Sequence, residues 1–217
     1  MEKFLIEKIQ QSEIDEVAEI LTDAFETNPA YSIIFKKEGQ LRSGLFWLFS
    51  ASLLINNDKE PLTNVIREKD TGKITGTFTL IPPQGVKKGF SVYLKTGGVP
   101  DFISRFGINP LIRMLSLDSC NKESLAKSMK VSEYYYLSMV AIREEYRGMG
   151  GTGSFAIKQT VQELTASKPA CNLMGLTTQL PENVTFYSRL GFEKLDEGYI
   201  DFKGDSYYNY NMGLKIH

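Results

Sequence analysis

RGMGGTGS, residues Arg147–Ser154, places four glycines beside an arginine. The preceding residues, Tyr134–Arg143 (YYYLSMVAIR), are rich in aromatic and branched side chains and predict a strand. The following residues predict a helix from about Gly151 to Ser167. A turn that enters a helix in this way presents free backbone N–H groups and the positive end of the helix dipole, and its glycines let a ligand approach the backbone. The stretch therefore predicts an anion site.

Two nucleotide motifs compete for this turn. Gly148, Gly150 and Gly153 fit the dinucleotide pattern GxGxxG, but that pattern needs an acidic residue at the end of the next strand. Here the strand ends Leu176–Gln179 (LTTQ) without an acid, and too little chain follows for a dinucleotide-binding sheet. A P-loop needs lysine where the chain has Ser154. A plain connection would not call for four glycines beside an arginine, so an anion-binding turn is favoured.

Two further segments accompany the glycine turn. Glu182–Phe192 reads ENVTFYSRLGF, one helix and one strand after the turn, and Phe25–Pro29 reads FETNP. All three segments resemble the GNAT N-acetyltransferase superfamily, whose cofactor turn has the pattern Arg/Gln-x-x-Gly-x-Gly/Ala after a strand and whose later segment often reads ENVxFYxxLGF. Arg147 and Gly150 match the first pattern, while Thr152 stands where glycine or alanine is usual.

The resemblance implies an α/β fold with a GNAT-type mixed, largely antiparallel twisted sheet flanked by helices. A helical insertion, about residues 83–132, is expected before the central strand, within a single domain that covers residues 1–217. After the glycine turn, strands are predicted at Leu173–Thr178, Tyr199–Phe202 and Tyr207–Ile216, and alternating apolar residues fall on one face of the last.

The resemblance also implies acetyl-CoA as the acyl-donor substrate. In this superfamily the arm of the cofactor lies between two parallel strands, and the turn holds its pyrophosphate. The implied cofactor-binding residues are Met139, Val140, Ala141, Ile142, Arg147, Gly148, Met149, Gly150, Gly151, Thr152 and Gly153. Asn183 is expected to contact the cofactor or to fix its helix.

Two residues are implied in catalysis. The backbone N–H of Val140 is the candidate donor to the developing oxyanion, and Tyr187 is the candidate acid that protonates the departing thiolate. Without the motif, Tyr187 reads as a core residue. The base that deprotonates the amine is not identified by the sequence: Glu26 and Glu133 are candidates, although each also reads as a solvated surface carboxylate.

Composition excludes several other classes. The chain has 217 residues, 42% of them hydrophobic, and a formal net charge of −1 with scattered basic residues, so nucleic acid is not an expected partner. The longest apolar run, Leu45–Ile55, is too short for a membrane span. The N-terminus lacks the features of a signal peptide, so a cytoplasmic location is expected. Two distant cysteines and a single histidine, His217, predict neither a metal site nor a histidine-dependent triad.

These observations predict an N-acetyltransferase that moves an acetyl group from acetyl-CoA directly to a primary amine, the acceptor being a small molecule and the protein a monomer or homodimer. Two alternatives stay open: a catalytically silent acyl-CoA-binding module, and an acetyltransferase that acts on a protein amine. The acceptor site is expected to lie between residues 26–35 and the insertion. Four aromatic residues of the insertion are candidates to roof it: Phe90, Tyr93, Phe102 and Phe106.

Overall fold

The centre of the protein is a seven-stranded sheet in a computed structural model, which describes residues 3–58, 60–86, 98–148, 151–167 and 169–216. The strands are β1 (Phe4–Lys8), β2 (Thr63–Glu68), β3 (Ile74–Ile81), β4 (Tyr135–Ile142), β5 (Leu173–Thr178), β6 (Glu193–Phe202) and β7 (Asp205–Lys215). Their order across the sheet is β1-β2-β3-β4-β5-β7-β6. Only β4 and β5 pair in parallel among these neighbours. The predicted mixed, largely antiparallel sheet is confirmed.

Helices cover both faces of this sheet. In the described parts of the chain they are α1 (Ile14–Phe25), α2 (Pro29–Ser32), α3 (Leu41–Asn56), α4 (Pro83–Val86), α5 (Gly98–Phe106), α6 (Ile108–Met129), α7 (Thr152–Ser167) and α8 (Pro181–Ser188). Single 3-10 turns occupy Gln11–Glu13 and Glu144–Tyr146. Within the described residues, none of these helices is both long and apolar enough to cross a membrane.

Two apolar layers hold the helices against the sheet. One layer combines α1, α3, α5 and α6 with residues of β2, β3, β4 and β7. The other combines α7 and α8 with the opposite side of the strands, and includes Leu176, Tyr187, Phe192 and Met212. Helix α1 shows why the sequence folds this way: its buried residues Ile14, Val17, Ala18 and Leu21 recur at helical spacing and form one stripe.

The described part of the insertion before β4 is helical, as the sequence predicts. Helix α6 has 22 residues, ends at Lys130 in the left-handed conformation, and packs against β5, β6 and β7. Its buried residues, Leu111, Met114, Leu117 and Leu125, keep the helical spacing that a sheet-facing stripe requires. The insertion thus adds a long helix to the face of the sheet opposite α7 and α8.

Candidate active site

The parallel strands β4 and β5 separate soon after they pair. Only two residue pairs join them, Tyr135 with Met174 and Tyr136 with Gly175. Beyond these pairs β4 continues to Ile142 and β5 to Thr178. Their carboxyl ends therefore border an opening in the middle of the sheet, where backbone N–H and C=O groups are left for another partner.

A bulge in β4 lies beside this opening. Thr77 of β3 pairs with Ala141 and Thr79 pairs with Ser138, so Met139 and Val140 together face one residue of β3. Such a bulge takes one residue out of the ladder of hydrogen bonds. Met139 has a φ of 49°, a left-handed conformation that costs a non-glycine residue roughly 1–2 kcal/mol. A strained backbone next to the strand opening marks a candidate functional position.

The glycine turn follows β4 directly. The Arg147 Nε donates a hydrogen bond of 2.9 Å to the Ile142 carbonyl, so its exposed guanidinium stays beside the end of β4. Gly148 and Gly151 have φ values of 69° and 78°, which explains why glycine occupies these two positions. The predicted cofactor-binding residues Met149 and Gly150 lie outside the described residues.

Helix α7 begins at the end of this turn. The Phe155 N–H donates to the Gly151 carbonyl over 2.7 Å, which makes Gly151 the residue before the helix and leaves the N–H groups of its first turn without intrahelical acceptors. Thr152 is 1% exposed, and its Oγ1 has no hydrogen-bond partner among the described residues. A buried, unpaired hydroxyl costs about 1–3 kcal/mol, so it indicates a partner such as a bound oxyanion.

The missing side chain of Gly153 allows close packing. A Cβ added there would lie 3.1 Å from Phe186 Cζ and 3.5 Å from Ile142 Cγ1. The absence of a side chain therefore lets the first turn of α7 sit against the end of β4 and against α8. This contact brings three predicted segments together: the end of β4, the glycine turn and the ENVTFY helix.

Helix α8 holds the predicted residues Asn183 and Tyr187. The Asn183 Nδ2 donates to the Thr178 Oγ1 over 3.0 Å, which ties α8 to the end of β5. A bond of this kind fixes the helix, which is one of the two roles predicted for Asn183. Tyr187 is 7% exposed and makes edge-on contacts with Phe186 and Phe192, at centroid distances of 5.1 and 5.5 Å.

The environment of Tyr187 keeps its phenol protonated. Burial raises the pKa of Tyr187 well above its ordinary value, and Tyr136 raises it further. Burial is also the main cause that raises the pKa of Tyr136 to about 12, with a smaller opposing effect from a hydrogen bond to Thr177. Tyr187 is therefore a proton donor at any pH near neutrality.

Both candidate bases lie in surface positions. Glu26 follows α1, and its Oε2 is 3.2 Å from Arg42 Nη1 in an exposed ion pair. Glu133 is exposed and precedes the paired end of β4, whereas the opening lies beyond that pairing.

The predicted aromatic roof differs from what the structure contains. Phe102 is 0% exposed and packs against Phe35, Trp47 and Phe106, so it belongs to the core and cannot line an open acceptor pocket. The helical period of α5 explains the error, because an aromatic residue on an amphipathic helix faces the core by default. Phe90 and Tyr93 lie outside the described residues.

A buried chain of amides near the opening escaped the sequence analysis. Asn28 donates to Gln179 over 3.0 Å, Gln179 to Asn209 over 2.8 Å, and Asn209 to Asn211 over 3.0 Å. Asn211 in turn donates to Ser124 and Ser128 of α6 over 2.8 and 2.9 Å. The chain connects the loop after α1, the residue that follows β5, strand β7 and the insertion. The sequence did contain a signal for this chain: asparagine, which is rare inside strands, occurs at alternate positions of the YNYNM stretch of β7.

Comparison with known proteins identifies structures of similar fold. The sequence matches no protein-family model and no curated protein. The structure is similar to a Corynebacterium glutamicum protein described as histone acetyltransferase HPA2 and related acetyltransferase, with a TM-score of 0.63, 18% identity and coverage of 100% of this chain and 98% of that one. Arylalkylamine N-acetyltransferase 2 of Aedes aegypti gives a TM-score of 0.62 at 14% identity, with 100% of both chains covered.

A third similar structure contains a ligand. It is yncA from Salmonella typhimurium with its cofactor acetyl-CoA, and its TM-score is 0.53 at 15% identity, with 100% of this chain and 95% of that one covered. The chain therefore has the fold of the GNAT acetyltransferases, as the sequence motifs predict. At these identities the similarity defines the fold, and the activity has to be argued from the site.

Proposed function

We propose that the protein is an N-acetyltransferase that transfers the acetyl group of acetyl-CoA directly to a primary amine of a small molecule. One observation carries the proposal: the β4–β5 opening and its bulge at Met139 lie next to a helix N-terminus with a buried, unpaired hydroxyl on Thr152. Strand backbone can pair with the amides of an extended arm, while the helix terminus suits a pyrophosphate. Acetyl-CoA has both parts.

The residues at the turn fit the anionic part of this ligand. The first N–H groups of α7 and the Thr152 hydroxyl are donors without described acceptors, and Arg147 adds an exposed positive charge. Glu144 and Glu145 are exposed, and Glu145 pairs with Lys73 over 2.9 Å, so its charge is balanced away from the turn. The turn therefore offers donors and positive charge to an anion.

Two residues have proposed catalytic roles. Val140 shares the bulge with Met139, so a backbone N–H here is free of the ladder and can stabilise negative charge on the thioester oxygen. Tyr187 can protonate the thiolate that leaves, because its phenol stays protonated. Acetyl-CoA supplies the activated acyl group when bound. No covalent acyl-enzyme is needed, and the amine loses its proton to water in this scheme.

The acceptor is proposed as a small amine by analogy with the arylalkylamine N-acetyltransferases of similar fold. The silent acyl-CoA-binding module and the enzyme acting on a protein amine are the rival functions. Single-domain organisation, cytoplasmic location, and a monomeric or homodimeric state stay predictions from the sequence.

The proposal is tested in two stages. Thermal unfolding is first measured with CoA and, separately, with NAD; CoA is expected to raise the Tm because it binds the folded state, and NAD is not. Transfer is then measured as free thiol released from acetyl-CoA with a panel of small amines and lysine peptides. A Tm shift with NAD alone would overturn the cofactor assignment.

The rival functions give different results in the same assay. CoA binding without thiol release on any amine favours the silent binding module. Thiol release with lysine peptides and none with small amines favours the protein acetyltransferase. Gly150→Glu, which brings a negative charge into the turn, is expected to abolish the Tm shift with CoA in every case.

A further inference from the structure

A second cavity lies away from the β4–β5 opening. It has a volume of about 490 Å³ and is bordered by the segment after α2, the start of α6 and the β6–β7 turn. Its floor includes the apolar side chains Ile34 and Phe106. Sites for small molecules commonly have a volume of roughly 300–1,000 Å³ and combine an apolar lining with a few polar groups.

Four cationic side chains line this cavity: Lys36, Lys37, Arg113 and Lys203. Asp205 forms ion pairs with two of these cations, at 2.8 Å from Lys36 and 2.6 Å from Arg113. These two cations hold the pKa of Asp205 below its ordinary value. Among the lining residues that the structure describes there is no carboxylate, so the positive charges exceed the negative ones.

Lys203 lies at the rim of the cavity in a strained backbone conformation. It forms the two-residue turn between β6 and β7 with Gly204, and its φ is 49° while that of Gly204 is 84°. Positive φ at both positions is typical of a type I′ turn, for which Asn-Gly is the favoured sequence. Lysine is strained in this conformation. The Arg113 Nη2 donates to the Lys203 carbonyl over 3.3 Å and so supports the turn from inside.

The β6–β7 turn at the rim of the cavity projects beyond the end of β5. Tyr210 of β7 pairs with Thr178 at the end of β5, and Asp205 lies five residues earlier along β7. At about 3.3 Å per residue, the β6–β7 turn therefore lies roughly 17 Å beyond the end of β5.

We propose that this cavity binds a small organic anion with an apolar body, such as an aromatic phosphate or carboxylate. The cationic rim contacts the anionic group and the floor of Ile34 and Phe106 contacts the body of the ligand. The lysine at position 203 brings its charge to the rim at the expense of backbone strain, which explains why a better turn residue does not occupy this position.

The test adds phenyl phosphate to the whole 217-residue chain at low salt. Binding is measured from the changes in amide chemical shifts in NMR spectra. Saturable shifts near Lys203 and Gly204 are expected, and they should weaken as salt is added. Benzyl alcohol, which lacks the charge, should give none. Shifts at the glycine turn of residues 147–154 report the other anion site separately, so failure of acetyl-CoA binding and failure of this proposal are distinguishable.

Lys203→Asn separates a ligand site from a structural role. It is expected to weaken phenyl phosphate binding about fivefold while raising the Tm by about 2–4 °C, because asparagine relieves the turn. Lys130→Asn is the matched control: Lys130 has a φ of 54° at the end of α6 and lies outside the cavity. It should raise the Tm and leave binding unchanged. Lack of saturable shifts near residue 203, or equal affinity in Lys203→Asn, would overturn the proposal.

Discussion

The two faces of the sheet differ at β7, where neighbouring residues are held by different interactions. Met212 is 0% exposed and belongs to the apolar layer under α7 and α8. Asn211, the residue before it, is 1% exposed on the α6 side and ends the amide chain from Asn28. Apolar burial has no preferred direction and tolerates changes of shape, whereas each buried amide needs its own partner. The faces should therefore respond differently to substitution.

The largest effect is expected on the apolar face, where Tyr187 is the residue with proposed chemistry. Tyr187→Phe keeps the ring and its contacts with Phe186 and Phe192 but removes the proton donor. With a verified acceptor, kcat should fall by about 10² to 10⁴ while KM for acetyl-CoA changes little. Steady-state kinetics under conditions where chemistry limits the rate give the measurement.

The raised pKa of Tyr187 sets the pH range over which the proposed acid keeps its proton. Since burial raises the pKa of Tyr187, its proton is present below the ordinary tyrosine pKa of about 10 and is lost only above it. No fall in kcat from this group is expected up to that pH. A Tyr187→Phe variant with nearly full kcat would show that the tyrosine is only a core residue.

The next effect compares the two faces within one strand. Asn211→Leu leaves the Asn209 Nδ2 and the hydroxyls of Ser124 and Ser128 without this partner, so we expect a loss of about 2–4 kcal/mol in the free energy of unfolding. Met212→Leu conserves volume and should cost less than about 1.5 kcal/mol. Urea unfolding of both variants measures the difference.

Equal costs in the two variants would contradict the comparison. At a pH where its carboxyl is neutral, Asn211→Asp keeps an acceptor for Asn209 and one O–H donor toward α6, in place of the two N–H donors of the amide. Its loss in the free energy of unfolding should fall between those of the other two variants.

The smallest effect concerns the two buried hydroxyls without described partners, Thr152 Oγ1 and Ser50 Oγ. Thr152→Val should stabilise the free protein by about 1 kcal/mol, because an unpaired polar group is removed, and should weaken CoA binding about fivefold to tenfold. Ser50→Ala should give the stabilisation alone. Thermal unfolding with and without CoA measures both the stability of the free protein and its CoA affinity. Unchanged CoA affinity in Thr152→Val would show that the hydroxyl does not contact CoA.

The sequence predicted the segments whose structure is determined by residues close to each other in the chain. Strand β5 was predicted over the residues observed, and the start of α7 came within one residue, because apolar alternation and glycines act over short distances. Strand β6 begins at Glu193, six residues before its predicted start at Tyr199. Its first residues are polar since β6 is an edge strand, and an edge strand carries little hydrophobic pattern.

The features of the site that depend on distant partners were not predictable. The left-handed φ of Met139 arises from the register between β3 and β4, which no local motif in β4 encodes. The amide chain joins Asn28 to Gln179, which are 151 residues apart, so the local sequence around neither residue indicates its partner. The glycine turn and Tyr187 came from motifs, and their roles remain predictions that the experiments above address.

The short pairing of β4 with β5 has a mechanical consequence. Two residue pairs are all that join β1–β4 to β5–β7 within the sheet, which makes this line a seam. Helix α6 comes before β4 in the chain yet packs on β5, β6 and β7, and Asn121, Ser124 and Ser128 bind β7 side chains. It therefore links the two half-sheets through a segment that contributes no strand, and we expect them to unfold as one unit.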